Sequence, residues 1–158
     1  MNLIGNPHDF DFLVGTWAVS NRRLRRRSVG SCDWEEFSAE HRGWALLDGG
    51  VSVDEMHFAR PGSSGFSGCT LRTLDRPARR WSIYWINSTD GRLFPPVHGG
   101  FDGARGEFHG DDEDDGLPVK VRFVWSCDNP DAPRWEQAFS RDGVAWETNW
   151  VMDFRRLA

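Results

Sequence analysis

The stretch from Arg134 to Arg156 alternates large aromatic and polar residues around one Asp142-Gly143 pair, and that alternation leaves few options for the fold. Before the pair, Trp135, Gln137 and Phe139 share one side of an extended segment, with Arg134, Glu136 and Ala138 on the other. After it, Trp146, Thr148, Trp150, Met152 and Phe154 share a side, opposite Glu147, Asn149, Val151, Asp153 and Arg155. A period of two marks a strand that buries one face. The Asp-Gly pair supplies the positive φ a tight hairpin needs. The spacing therefore predicts a long hairpin with an aromatic inner wall.

Similar runs lie at 15–25, 34–44, 50–59, 67–75, 80–88, 96–101, 105–110, 118–126, 134–140 and 145–156. A repeat of about ten residues is the rhythm of a sandwich or barrel. Turn chemistry separates the runs at Asp48-Gly49-Gly50, Pro61-Gly62, Asp75-Arg76-Pro77, Asp90-Gly91, Asp102-Gly103 and Asn129-Pro130. None of these connectors has room for a crossover helix, so neighbours pair antiparallel in a meander. Ahead of them, Asn6-Pro7 followed by HDFDFLVG predicts one short helical turn. Asn6 caps it, Pro7 begins it and Gly15 stops it, with Phe10, Leu13 and Val14 on a common apolar face. Nine Trp and eleven Phe are a heavy aromatic load, and an open meander would also leave two bare edges that closure removes. The expectation is an all-β chain, a closed antiparallel up-and-down β-barrel of about ten strands with a short N-terminal helical turn, forming one domain over 1–158. At that strand number side chains do not fill the interior, and a ligand cavity is the usual result. A solidly packed aromatic core is the alternative.

The N-terminal helical turn, Gly15-x-Trp17 on the first strand and a basic residue, Arg155 or Arg156, ending the last strand resemble the calycin superfamily of lipocalins, fatty-acid-binding proteins and nitrobindin-like barrels. That resemblance implies that Trp17 closes the barrel bottom and that the Arg packs across it. RWSIYW at 80–85, VRFVWS at 121–126, RWEQAFSRDG at 134–143 and WETNW at 146–150 look most like a lipocalin-like bacterial family. The likeness covers nearly the whole chain and implies a fold without implying a particular reaction.

With the aromatic side inward, Trp81, Ile83, Trp85, Val121, Phe123, Trp125, Trp135, Phe139, Trp146 and Trp150 line the interior, a wall suited to a flat or apolar ligand. The same alternation puts Asn21, Arg23, Glu55, His57, Asn87, Gln137 and Thr148 inside, where polar groups pair with one another or await a ligand. The ligand-binding candidates are Asn21, Arg23, Trp85, Trp125, Trp135, Gln137, Trp146, Thr148 and Trp150. Glu55 and His57, two apart on one strand face, form a candidate acid/base couple; a rim ion pair is the structural alternative. With the faces reversed, Arg122 would join the ligand-binding set on a charged cavity floor beside Tyr84, a further proton-transfer candidate. The Trp face would then need a homodimer to cover it.

Several functions are excluded or disfavoured. A net charge of -5 speaks against nucleic-acid binding. No apolar run is long enough for a membrane span, and MNLIGNPHDFDFL lacks the basic start and apolar core of a signal peptide. Cys32, Cys69 and Cys127 lack a CxxC spacing and read as reduced thiols of a cytoplasmic protein. Nitrobindin-like barrels hold haem through a late His, but His8, His41, His57, His98 and His109 all precede the last three strands, so no haem or other cofactor is expected. Glu55/His57 and Glu107/His109 match no strong zinc pattern, so no metal site is expected either. Asp111-Asp112-Glu113-Asp114-Asp115-Gly116 lacks the ligand alternation of a calcium loop and reads as a solvated hairpin tip. Arginines 25–27 near a strand end form a rim able to attract a carboxylate. The expected function is binding of a small, largely hydrophobic or aromatic organic ligand. A cofactor-free cyclase or isomerase acting in the same cavity is the alternative.

Overall fold

The computed structural model describes residues 1–60 and 62–158, so the expected Pro61-Gly62 turn lies partly outside the described residues. Ten strands follow one another in hairpins: β1 (Gly15–Leu24), β2 (Trp34–Leu46), β3 (Val51–Ala59), β4 (Phe66–Asp75), β5 (Arg80–Asn87), β6 (Val97–Asp102), β7 (Arg105–Asp114), β8 (Leu117–Ser126), β9 (Arg134–Ser140) and β10 (Glu147–Arg156). Each strand pairs antiparallel with its sequence neighbour, and β1 also pairs with β10, from Trp17 opposite Arg156 to Arg23 opposite Trp150. That last ladder closes the barrel and leaves no sheet edge. No helix among the described residues is long and apolar enough to cross a membrane.

Side chains alternate in and out along each strand. The inward set includes Trp17, Val19 and Asn21 of β1, Met56 and Phe58 of β3, Trp81 and Ile83 of β5, Val121 and Trp125 of β8, and Trp150, Met152 and Phe154 of β10. Each large side chain buried this way contributes about 1.5–3 kcal/mol. The aromatic face of the C-terminal hairpin is thus inside. On β4, Gly68 makes room for the inward Trp85 of β5, because a Cβ there would lie 1.9 Å from its indole.

One end is shut. His8 has a φ of 72°, which breaks a right-handed helical path, so the helical turn starts later than Pro7, as a 3₁₀ turn over Asp11–Leu13. Phe10 and Leu13 are buried, whereas Val14, expected beside them, is exposed and Gly15 opens β1. Trp17, fully buried, donates its Nε1 hydrogen to the Leu13 carbonyl at 3.1 Å. The turn sits so close to β2 that a Cβ at Gly43 would lie 2.3 Å from the same carbonyl. The Arg156 guanidinium stacks 4.1 Å from the Trp17 ring and donates to the carbonyls of Val14 (2.9 Å) and Phe12 (3.0 Å). Arg156, and not the exposed Arg155, is therefore the basic residue that crosses the barrel bottom.

Two local features depart from the sequence reading. A β-bulge at Asn149 shifts the pairing from Thr148 opposite Ala138 to Trp150 opposite Gln137. The extra residue reverses the alternation before it, so Trp146 and Thr148 are outside and Asn149 is buried inside. The acidic run is a solvated tip only in part. β7 continues through it to Asp114, and Asp115-Gly116, with φ of 51° and 75°, makes the turn. The ladder of β7 with β8 runs to Asp114 opposite Leu117, and Asp114 is buried and accepts from Arg27 Nη2 at 2.7 Å and Nε at 3.0 Å.

Candidate functional site

Above the plug the barrel holds a cavity of about 250 Å³ whose lining reaches the rim at Asp111 and Glu113. Its walls follow from strand phase. Trp85 comes from β5, Trp125 from β8, Trp135 and Gln137 from β9, Trp150 from β10 and Arg23 from β1. The rings meet edge to face, Phe123 with Trp135 at 4.9 Å and Trp135 with Trp150 at 5.7 Å, an arrangement favoured by the ring quadrupoles. Asn21 is not at the cavity surface; it holds the wall from behind by accepting Trp150 Nε1–H on Oδ1 at 2.9 Å. Gln137 donates to Asn149 Oδ1 at 2.8 Å.

The other candidates from sequence lie elsewhere. Glu55 and His57 point outward, and His57 Nδ1 is 2.9 Å from Ser67 Oγ. β3 carries apolar residues on both sides (Val51 and Val53 against Met56 and Phe58), so its phase was ambiguous; the larger Met56 and Phe58 took the interior. Tyr84 alternates outward between the inward Ile83 and Trp85. Arg122, Trp146 and Thr148 are also outside. Arg122 lies 4.6 Å from the Trp146 ring, which meets His109 at 5.8 Å. This outer cluster exists because the bulge turned Trp146 away from the lumen.

Of the two charged groups inside, the sequence reading names Arg23 and not the Asp54–Arg72 pair. The pair lies deep. Asp54 of β3 and Arg72 of β4, both buried, pair through Arg72 Nη2 and Asp54 Oδ2 at 2.7 Å, while Arg72 Nη1 donates to Ser52 Oγ at 3.2 Å. His41 Nε2 is 3.1 Å from the same oxygen of Asp54 without the alignment of a formed hydrogen bond. Burial alone would raise the Asp54 carboxyl, but the charge of Arg72, aided by His41, holds it well below the ordinary carboxylate range. Asp54 is therefore an ion at neutral pH, compensated by its neighbour. The second group lies at the mouth, where Arg23 stacks 4.5 Å from the Trp150 ring. Burial, then Arg27 and Arg60, push its pKa down to about 10, which leaves it protonated at neutral pH.

Among the described residues no three His, Cys, Asp or Glu side chains converge as a metal-ligand set. Cys32 is an exposed free thiol, and Cys69 and Cys127 are partly buried free thiols. Burial, with Asp128 nearby, pushes the Cys127 thiol up to about 12, so it stays protonated. The fold and cavity define a closed ten-stranded barrel with an aromatic lumen. No protein-family model matches the chain, and no curated protein matches it in sequence.

Proposed function

We propose that this chain is a calycin-like barrel that binds a small, largely apolar or aromatic organic molecule in its cavity. One observation carries the reading: the lumen keeps an open volume of about 250 Å³ faced by four indoles, Trp85, Trp125, Trp135 and Trp150, although the opposite end of the same barrel is packed shut. Side chains that fill one end and not the other are arranged for an occupant. The volume sits just under the range of about 300–1,000 Å³ common for drug-sized ligands, so the occupant is compact, on the scale of one or two fused rings. Affinity comes from aromatic area removed from water, and orientation from the few polar groups at the mouth and floor. A proton-transfer enzyme has less support, because Glu55, His57 and Tyr84 all lie off the cavity.

The test is a titration with N-phenyl-1-naphthylamine, a neutral aromatic probe, followed by energy transfer from the tryptophans. The expected result is saturation at one probe per chain. A probe signal that rises linearly without saturating would remove the proposal.

A further inference from the structure

We infer that the cavity ligand carries a single oxyanion, such as a carboxylate, on its aromatic or apolar body, and that Arg23 is the group that receives it. This inference rests on the cavity-binding reading and adds the class of ligand.

The acids near Arg23 are committed to other cations. Arg23 on β1 faces Glu35 across the β1–β2 ladder and Trp150 across the β1–β10 ladder. Glu35 is the acid in position to pair with it, yet Glu35 is held by Arg60, with Arg25 at 3.9 Å. Arg60 Nη2 donates to Glu35 Oε1, and this bond holds the Glu35 carboxyl below its ordinary value despite burial. Asp114, the next acid, is taken by Arg27 through two donors. Lys120 takes Asp111. Among the described residues Arg23 is left with no hydrogen bond and no ion pair, only the face of the Trp150 indole.

A cation drawn partly out of water without an anion is unfavourable, and the planar guanidinium fork matches an oxyanion geometrically. The contact with the Trp150 ring, 4.5 Å from the guanidinium carbon, holds that fork over the indole, so it needs less further ordering on binding. The floor is a weaker anion site: the charge of Arg72 is compensated by Asp54, and Nη1 and Nη2 are committed to Ser52 and Asp54, which leaves only Nε without a partner among the described residues. The ligand therefore lies with its charge at the mouth and its apolar body against Trp135 and Trp150. Asp112 and Glu113, which also line the cavity, form no ion pair among the described residues, and their charge disfavours a ligand with more than one negative group.

The experiment is calorimetric titration of the full chain with 2-naphthoate, 2-naphthamide and inorganic phosphate, repeated on Arg23→Met and Arg23→Lys. The wild-type chain should bind the naphthoate at least about tenfold more tightly than the amide, as expected for a charge-assisted hydrogen-bonded pair. Phosphate, an anion without an apolar body, should give no measurable heat. Arg23→Met should bind naphthoate and amide with equal affinity, losing the preference, and Arg23→Lys should keep part of it. Equal binding of naphthoate and amide by the wild type overturns the anion inference and leaves cavity binding standing, and it does so without reference to any variant. Preference retained in Arg23→Met overturns the assignment to Arg23. Phosphate binding as tight as naphthoate overturns the apolar body. Failure of both naphthalenes to bind the wild type sinks the cavity reading and this inference together.

Discussion

Each end of the barrel lays an arginine across a tryptophan, and the two pairs differ in what else the arginine touches. At the closed end Arg156 stacks on Trp17 at 4.1 Å, donates to the carbonyls of Val14 and Phe12, and its Nε reaches Asp131 at 2.7 Å. At the open end Arg23 stacks on Trp150 at 4.5 Å and finds no acceptor among the described residues. The geometry of ring and cation is nearly the same. The first guanidinium ties the plug, the last strand and the connector before β9 into one unit, so its role is structural. The second keeps its donors free inside a cavity. An arginine over an indole therefore becomes a recognition group only where the chain leaves its hydrogen bonds unmade.

Stability measurements should separate the two ends. Trp17→Ala removes a fully buried ring, its bond to Leu13 and the platform under Arg156, and should cost about 3–5 kcal/mol in urea unfolding. Arg72→Met leaves Asp54 as an uncompensated buried ion and should cost a similar amount, about 3–5 kcal/mol, placing the paired floor with the closed end. Arg156→Met loses charge-assisted bonds to carbonyls and should cost about 1.5–3 kcal/mol. Arg23→Met loses no such bond and should change stability by less than about 0.5 kcal/mol, or raise it. A loss for Arg23→Met as large as that for Arg156→Met would erase the distinction between the ends.

Acid should act on the floor. The folded Asp54 carboxyl lies below its ordinary value of 3.8, so its contribution is complete above that value, begins to decline there and is fully lost only as the pH falls through the lower folded value. Unfolding free energy measured from neutral pH downward should decline on entering this range, and Asp54→Asn should be less stable at neutral pH with a shallower acid decline. A smaller effect concerns the thiols: in the native chain a disulfide reagent should modify Cys32 rapidly and Cys127 only after unfolding, because the latter thiol is held protonated and partly buried. Rapid labelling of Cys127 would show that the region around it opens easily.

Strand number, antiparallel order and the inward aromatic face were readable because hairpin turns and period-two alternation are local signals. Residues such as Trp85, Trp125 and Trp135 fell where the alternation put them. The errors came from places where a local signal has two solutions. On β3 both faces carry apolar residues, and only the packing of Met56 and Phe58 against the other strands chose the phase that sent Glu55 and His57 outside. On β10 the bulge at Asn149 inserts a residue with no sequence mark, and Trp146 and Thr148 were carried to the wrong side. The acidic run reads as a solvated hairpin tip until Arg27, far away in the chain, is seen to neutralise Asp114. Arg72 and Asp54 were missed for the same reason, since pairing between strands decides whether a buried charge is tolerated. The alternation puts Arg23 inside, as observed, but its lack of a partner among the described residues depends on Arg60 and Arg27 claiming Glu35 and Asp114.

The most direct test of the central claim is a crystal structure of the chain grown with 2-naphthoate. The account predicts one molecule inside the barrel, its rings against Trp135 and Trp150 and its carboxylate within hydrogen-bonding distance of the Arg23 guanidinium. A lumen closed by its own side chains, or a naphthoate found instead on the outer Trp146 and Arg122 pair, would contradict it.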